Sequence, residues 1–222
     1  RRIEILKKTG FNAIRSAHYP MSKALLKACD RIGMLVMDEA FDIWTINKSS
    51  YDYALYFPTW WEKDIQAMVD KDFNHPCVIM YSIGNEIPDT GNPNGAAWGR
   101  KLAEKIRSLD STRYIINSIN GLVSVMDLLK AVMQGDMSGD VNAAMADAGT
   151  MMKSAMGSEI VTDATAESFA VVDIAGYNYM DNRYLMDRSL FPNRVICGSE
   201  TFPRDIAGNW KLVKENGHVI GD

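Results

Sequence analysis

"CVIMYSIGNEIP", residues 77–88, joins an apolar run to an amide and a carboxylate. Cys77 to Ile83 carries no charge, the composition of a strand covered on both faces. The run breaks at Gly84, delivers Asn85 and Glu86, and meets Pro88, which cannot donate to a ladder. A sheet buried on both faces leaves such residues one useful place, the rim at the C-terminal ends of its strands. "RVICGSET", residues 194–201, repeats the design: Val195 to Gly198 is apolar, and Ser199 and Glu200 follow.

Further short apolar runs lie at Asn12–Ser16, Met34–Asp38, Tyr114–Asn117 and Val171–Tyr177, with a last one beginning at His218. Amphipathic stretches separate them. In "PMSKALLKACDRIG", Met21, Ala24, Leu25, Ala28 and Ile32 share one helical face, and Gly33 supplies the stop. "TWWEKDIQAMVDKDF" opens with Thr59 and Glu62 at capping-box spacing and buries Trp61, Ile65, Met68 and Val69. "AWGRKLAEKIRSLD" aligns Trp98, Leu102, Ile106 and Leu109, and "DIAGNWKLVKENG" closes at Gly217. Residues 118–168, rich in Met, Ala, Gly and Asp, read as two helices with a mobile link.

Strand alternating with helix predicts an α/β parallel sheet. Seven strands in 222 residues predict a (β/α)8 TIM barrel in one partial domain over residues 1–222, with the first strand and most of the last missing. A doubly wound open sheet is the alternative, weakened because no Gly-rich phosphate loop follows a strand. A net charge of −4 provides no basic stripe for nucleic acid. No apolar run approaches the roughly 18 residues of a membrane span. Cys29, Cys77 and Cys197 sit in apolar segments and read as buried reduced thiols. The three histidines and three cysteines are too scattered for a metal site.

Barrel enzymes build their sites at C-terminal strand ends. Those ends collect Arg15 and His18, Asp38 and Glu39, Asn85 and Glu86, Asn117, Asn178 and Tyr179, and Ser199 and Glu200. Glu86 and Glu200 end strands otherwise almost free of charge. Two carboxylates on different strand ends suit glycoside hydrolysis, one protonating the departing oxygen and the other attacking the anomeric carbon or activating water. The plainer reading makes each acid a helix N-terminal residue facing backbone N–H groups. Ser199 lacks the nucleophile elbow of serine hydrolases, His18 reads equally as a core histidine, and His75 before the strand reads as a loop anchor.

"GFNAIRSAHYP", "CDRIGMLVMDEAFDIW", "KDFNHPCVIMYSIGNE", "VDIAGYNYMDNRY" and "RVICGSET" resemble the barrel domain of glycoside hydrolase family 2, which includes β-galactosidases, β-glucuronidases and β-mannosidases. The resemblance implies a retaining β-glycosidase of the β-galactosidase type acting on terminal β-linked sugars. Glu86 then matches the acid/base and Glu200 the nucleophile. Asn85 matches the contact to the sugar 2-hydroxyl. Tyr179, with Tyr177 as a rival, matches the tyrosine that orients the nucleophile. Arg15 and His18 match the pocket wall, Asp38 and Glu39 the acidic pair of the third strand, and Trp44 the lining of a sugar subsite.

The family's larger bacterial β-galactosidases carry a histidine-containing segment after that acidic pair, where "AFDIW" stands here, so no cofactor and no magnesium site is expected. The expected partners are a carbohydrate substrate, the β-sandwich domains that precede the barrel in the family, and a second copy of the chain. The expected location is the bacterial cytoplasm or periplasm. A reading of another class remains: an inactive partial barrel, or one that binds carbohydrate without turning it over.

Overall fold

The computed structural model describes residues 1–126 and 155–222. A helix, α1 (Arg2–Lys8), leads into β1 (Ala13–Arg15), α2 (Lys23–Ile32), β2 (Leu35–Glu39) and α3 (Phe57–Asp72). Then come β3 (Val78–Asn85), α4 (Pro93–Leu109), β4 (Tyr114–Ile119) and a single helical turn, α5 (Gly121–Ser124). After the undescribed stretch follow α6 (Glu159–Ala170), β5 (Ile174–Asn178), α7 (Met186–Leu190), β6 (Ile196–Glu200) and α8 (Ile206–Glu215).

Every described strand lies parallel to the next, in the order β1-β2-β3-β4-β5-β6. Beyond β6, Val219 forms a parallel bridge to Ile196, where the seventh run was expected. A doubly wound sheet reverses its strand order part-way, and this one never does. The sheet curls into part of a TIM barrel, with six strands and the start of a seventh.

Two apolar layers hold the curl. On the convex face, Val36, Val78, Tyr81, Ile83 and Ile115 pack against Leu26 and Cys29 of α2, Ile65, Met68 and Val69 of α3, and Leu102 and Ile106 of α4. On the concave face Met37, Met80, Ile116, Ile174 and Cys197 meet in a small cluster. All three cysteines are buried thiols. Above the concave cluster the side chains turn polar, and there the site begins.

Local details depart from the sequence reading. The buried stripe of α2 centres on Leu26 and Cys29 while Ala24 is exposed, one position round from the expected face. Gly33 does adopt the left-handed conformation that ends this helix, at φ 72°. The α3 helix starts at Phe57 with Pro58 in its first turn and carries no side-chain cap, so Thr59 and Glu62 form no capping box. Pro at that position replaces the cap, since it has no N–H to satisfy. β3 runs to Asn85 and β4 to Ile119, each two residues beyond its apolar run, and β5 begins only at Ile174. The two-helix reading of residues 118–168 falls mostly outside the described residues. His75 holds its loop through Asp30, with Nδ1 at 2.6 Å from the carboxylate.

The segment after β5 hangs on Arg183, which is 1% exposed. Its guanidinium donates to both Asp187 oxygens at 2.7 and 3.1 Å, to the Met156 carbonyl at 2.8 Å and to Thr162 Oγ1 at 2.7 Å. Deleting one partner of a buried ion pair strands the other without water. Asp187 would keep Arg194 and the Tyr177 hydroxyl. Arg183→Met should therefore cost about 3 kcal/mol, the low end of the range for such losses. Urea unfolding checks it, and a loss well under about 1 kcal/mol would mean that Arg183 is not the anchor of this segment.

Candidate active site

The guanidinium of Arg15, at the end of β1, organises the rim. Nε and Nη2 donate to the two Glu39 oxygens at 2.9 and 3.1 Å. Nη1 donates to Glu200 Oε2 at 2.9 Å and to the Ser199 carbonyl at 3.1 Å, and Nη2 also donates to Asn85 Oδ1 at 2.6 Å. Each of its N–H groups thus has an acceptor, drawn from β2, β3 and β6.

Glu86 and Glu200 reach this rim by similar backbone devices. The β3–β4 ladder shifts register between Ser82 and Asn85, and the β5–β6 ladder between Tyr177 and Asn178. Such bulges re-aim the side chains that follow. Glu86 and Tyr179 then sit at φ 45° and 57°, left-handed conformations that cost a non-glycine residue energy. Backbone hydrogen bonds hold them there, from Glu86 N to the Ser118 carbonyl at 2.7 Å and from Tyr179 N to the Glu200 carbonyl at 2.8 Å.

One amide joins the two acids. Asn178 Nδ2 lies 3.3 Å from Glu86 Oε1, 3.3 Å from Glu200 Oε2 and 3.0 Å from Asn85 Oδ1. Two oxygens each 3.3 Å from one nitrogen are separated by at most twice that distance, about 6.6 Å. Glu86 Oε1 also accepts from Asn120 Nδ2 at 2.9 Å. Glu200 Oε1 accepts from the Tyr179 hydroxyl at 2.6 Å. Tyr177, the rival, is buried with its hydroxyl on Asp187.

Six of the eight expected residues therefore converge: Arg15, His18, Asn85, Glu86, Tyr179 and Glu200. The other two do not. Asp38 is fully buried on the helix side of β2, taking Ser16 Oγ at 2.6 Å, the Met21 N–H at 2.7 Å and Lys71 Nζ at 2.9 Å. Successive side chains alternate across a strand, so Glu39 faces the rim and Asp38 cannot. Trp44 is also fully buried; its indole N–H donates to the Ile83 carbonyl at 3.0 Å and its ring stacks on Phe57. A side chain at Gly84 would crowd that ring, its Cβ meeting Trp44 at 3.1 Å. Trp44 is a core residue and lines no subsite.

Sequence reasoning gave no role to Asn178 or Asn120, and it did not single out Asp42 or Lys48. Asp42 Oδ1 accepts from Asn85 Nδ2 at 2.7 Å and from Lys48 Nζ at 2.8 Å, and Lys48 also donates to the Asn85 carbonyl at 2.8 Å. Both residues border a groove of about 710 Å³ that runs past Tyr19, Phe41 and Tyr53. Among the described residues, no three of His, Cys, Asp and Glu are grouped as metal ligands. An ammonium already bridges Asp42 and the Asn85 carbonyl, so these residues do not fit a magnesium ion.

Residues 1–164 match the family described as "Glycosyl hydrolases family 2, TIM barrel domain". The chain belongs to glycosyl hydrolase family 2. A β-galactosidase of Bacteroides ovatus is 43% identical over 117 residues, 53% of this chain and 13% of that protein. A crystal structure of a family 2 member from Bacteroides cellulosilyticus covers the whole chain at 39% identity with a TM-score of 0.79, and the match spans 24% of that chain. A β-glucuronidase structure from Bacteroides uniformis shares the fold at 17% identity, with a TM-score of 0.64 over 27% of its length. The chain thus spans 13%, 24% and 27% of the lengths of these three proteins.

Electrostatics separate two of the family 2 rim residues from ordinary behaviour. Burial pushes the Glu200 carboxyl up, but hydrogen bonds from Tyr179 and Arg15 outweigh it and hold the pKa below the usual range. His18 Nδ1 lies 3.2 Å from Glu39 Oε1. That hydrogen bond raises the imidazole pKa, against burial and the Arg15 charge. A raised pKa stabilises the fold while the imidazole is charged. The contribution is complete below the ordinary value near about 6.5 and disappears as pH rises through the higher folded value. The stability gap between wild type and His18→Gln should therefore be widest near about pH 5.5 and shrink toward about pH 8.5, with imidazole NMR titrating above the ordinary value. A gap that widens with pH contradicts the Glu39 contact.

Proposed function

We propose that this chain carries the catalytic centre of a retaining β-glycosidase of the β-galactosidase type, within a partial barrel formed by residues 1–222. The observation that carries the reading is the shared Asn178 amide, which keeps Glu86 and Glu200 oxygens within about 6.6 Å of each other. Retaining enzymes hold their carboxyl groups roughly 5–5.5 Å apart, and inverting enzymes roughly 6.5–9.5 Å. The bound, which applies to one oxygen of each carboxylate, accommodates the retaining spacing and reaches only the short edge of the inverting range.

In this mechanism Glu200, ionised and held by Arg15 and Tyr179, attacks the anomeric carbon. Glu86 protonates the departing glycosidic oxygen. No described side chain donates to its Oε2, so that oxygen is free to carry the proton. Water next attacks the glycosyl ester, Glu86 takes its proton, and the sugar leaves with Glu200 restored. Asn85 would contact the 2-hydroxyl, its amide oriented by Arg15 and Asp42. The name of the Bacteroides ovatus relative makes β-galactosides the first substrates to try.

A second reading has its own observation. Concave-face residues Met80 and Ile174 border an opening of about 700 Å³ together with Tyr114 and Ile220. A barrel open in this way could bind sugar without turning it over. A panel of nitrophenyl β-glycosides separates the two. Turnover lost in Glu200→Ala, with mass-spectrometric labelling of Glu200 by a 2-deoxy-2-fluoro glycoside, supports the glycosidase. Sugar binding without turnover supports the second reading. In Glu86→Gln, substrates with poor leaving groups should slow by about 100- to 10,000-fold and activated aryl substrates far less. Equal losses on both contradict the acid role.

A further inference from the structure

Double displacement moves one negative charge back and forth between two side chains. Before reaction it resides on Glu200. When the bond from Glu200 to the anomeric carbon forms and the glycosidic bond breaks, the Glu86 proton goes to the leaving oxygen and the charge passes to Glu86. When water adds, its proton returns to Glu86, the ester breaks, and the charge is back on Glu200. A donor fixed on one carboxylate helps only half of this cycle.

Most donors at the rim are fixed in that sense. Arg15 and the Tyr179 hydroxyl bond Glu200, and Asn120 bonds Glu86. Asn178 is the described donor that reaches both, at 3.3 Å each, and its two hydrogens face three acceptors including Asn85 Oδ1. The side chain is fully buried, so no water competes for those hydrogens. Its orientation is set by the Ser199 hydroxyl, which donates to Asn178 Oδ1 at 2.7 Å. An amide turned the other way would aim its carbonyl at two carboxylates.

We infer that Asn178 is a positioning residue whose amide follows the charge, its hydrogens favouring Glu200 in the free enzyme and Glu86 in the glycosyl-enzyme. The inference rests on the retaining reading and names a residue that reading does not require. The titratable groups facing the pair are Arg15 and His18 from the β1 side, Glu39 on β2 and Tyr179 after β5. Among them Arg15 and Tyr179 hydrogen-bond Glu200, and none bridges both acids. The neutral Asn178 amide can therefore serve either anion without adding a charge that would favour one of them.

The test is the pH profile of kcat/KM in Asn178→Ala, with Asn120→Ala as comparison. Losing a donor to an anion raises that carboxyl's pKa. Asn178→Ala should move both limbs up, each by about half a unit to one unit. It should also lower kcat roughly tenfold to a hundredfold, as expected for one hydrogen bond to a charged group, with KM changed less than about threefold. Asn120→Ala should move the alkaline limb alone. Ser199→Ala keeps the amide and loosens its orientation, so both limbs should move by less, which keeps the test valid if Asn178→Ala fails to fold. The inference is overturned if either limb of the Asn178 variant stays put, or if KM alone changes. Glu86 and Glu200 titrated by carboxyl ¹³C NMR report the same two shifts without turnover. Unshifted carboxyls refute Asn178 even in an active enzyme, whereas shifted carboxyls in a protein that hydrolyses no glycoside refute the retaining reading alone.

Discussion

The Arg15 guanidinium is the interaction on which the rest of the rim depends. Glu39 is fully buried, and Glu200 and Asn85 point at the same small volume. Without a central cation this would be a cluster of acceptors with mutual repulsion and little water to screen it. A planar group with donors in a fixed fork meets five acceptors on three other strands at once, which a lysine ammonium with three hydrogens cannot do. The same bonds also lock the curl of the sheet. β1 and β6 lie at opposite ends of the strand order, yet Arg15 on the first touches Glu200 on the last. Fold closure and carboxylate placement are, at this point, one interaction.

Around that cation the backbone departs from regular geometry where function would need it. Register shifts precede Asn85 and Asn178, and left-handed residues sit at Glu86 and Tyr179. Each costs energy that the apolar middle of its strand offsets. Tyr81 and Ile83 in β3, and Tyr177 in β5, are fully buried. The strand centres hold firm so that the strand ends can be strained. This division explains why the opening stretch reads as it does, a charge-free run that stops abruptly at an amide and an acid.

The strand centres were legible in the sequence for the same reason. Apolar runs of parallel strands announce themselves, their ends follow by inspection, and six residues that converge at the rim came with them. What stayed illegible was phase. In a strand buried on both faces, composition does not say which neighbour faces inward, so Asp38 and Glu39 looked equivalent until the structure placed one on Lys71 and the other on Arg15. The α2 stripe was misplaced by one position for a related reason, since Leu25 and Leu26 both satisfy the pattern. Trp44 was misread because an aromatic residue near a site resembles a sugar platform, whereas Gly84 leaves it a place in the core. Asn178 was collected at a strand end but given no role, and Asn120 gave no signal, because through-space contacts leave no spacing in the chain. Ser118 to Ser168 had no clear periodicity, and most of that stretch lies outside the described residues.

The two acids are distinguished less by their own chemistry than by the donors that each receives. Glu200 is held by a guanidinium and a phenol as well as an amide, bonds that favour its anion and keep its pKa low. Among the described residues Glu86 receives two neutral side-chain amides, both on one oxygen. Charged donors favour the anion of the carboxyl they bond, while neutral donors tolerate either protonation state. In the proposed mechanism a group that attacks as an anion and a group that gains and loses a proton call for different surroundings, and Glu200 and Glu86 differ in that way. Asn178 belongs to both surroundings, and it can do so because it carries no charge.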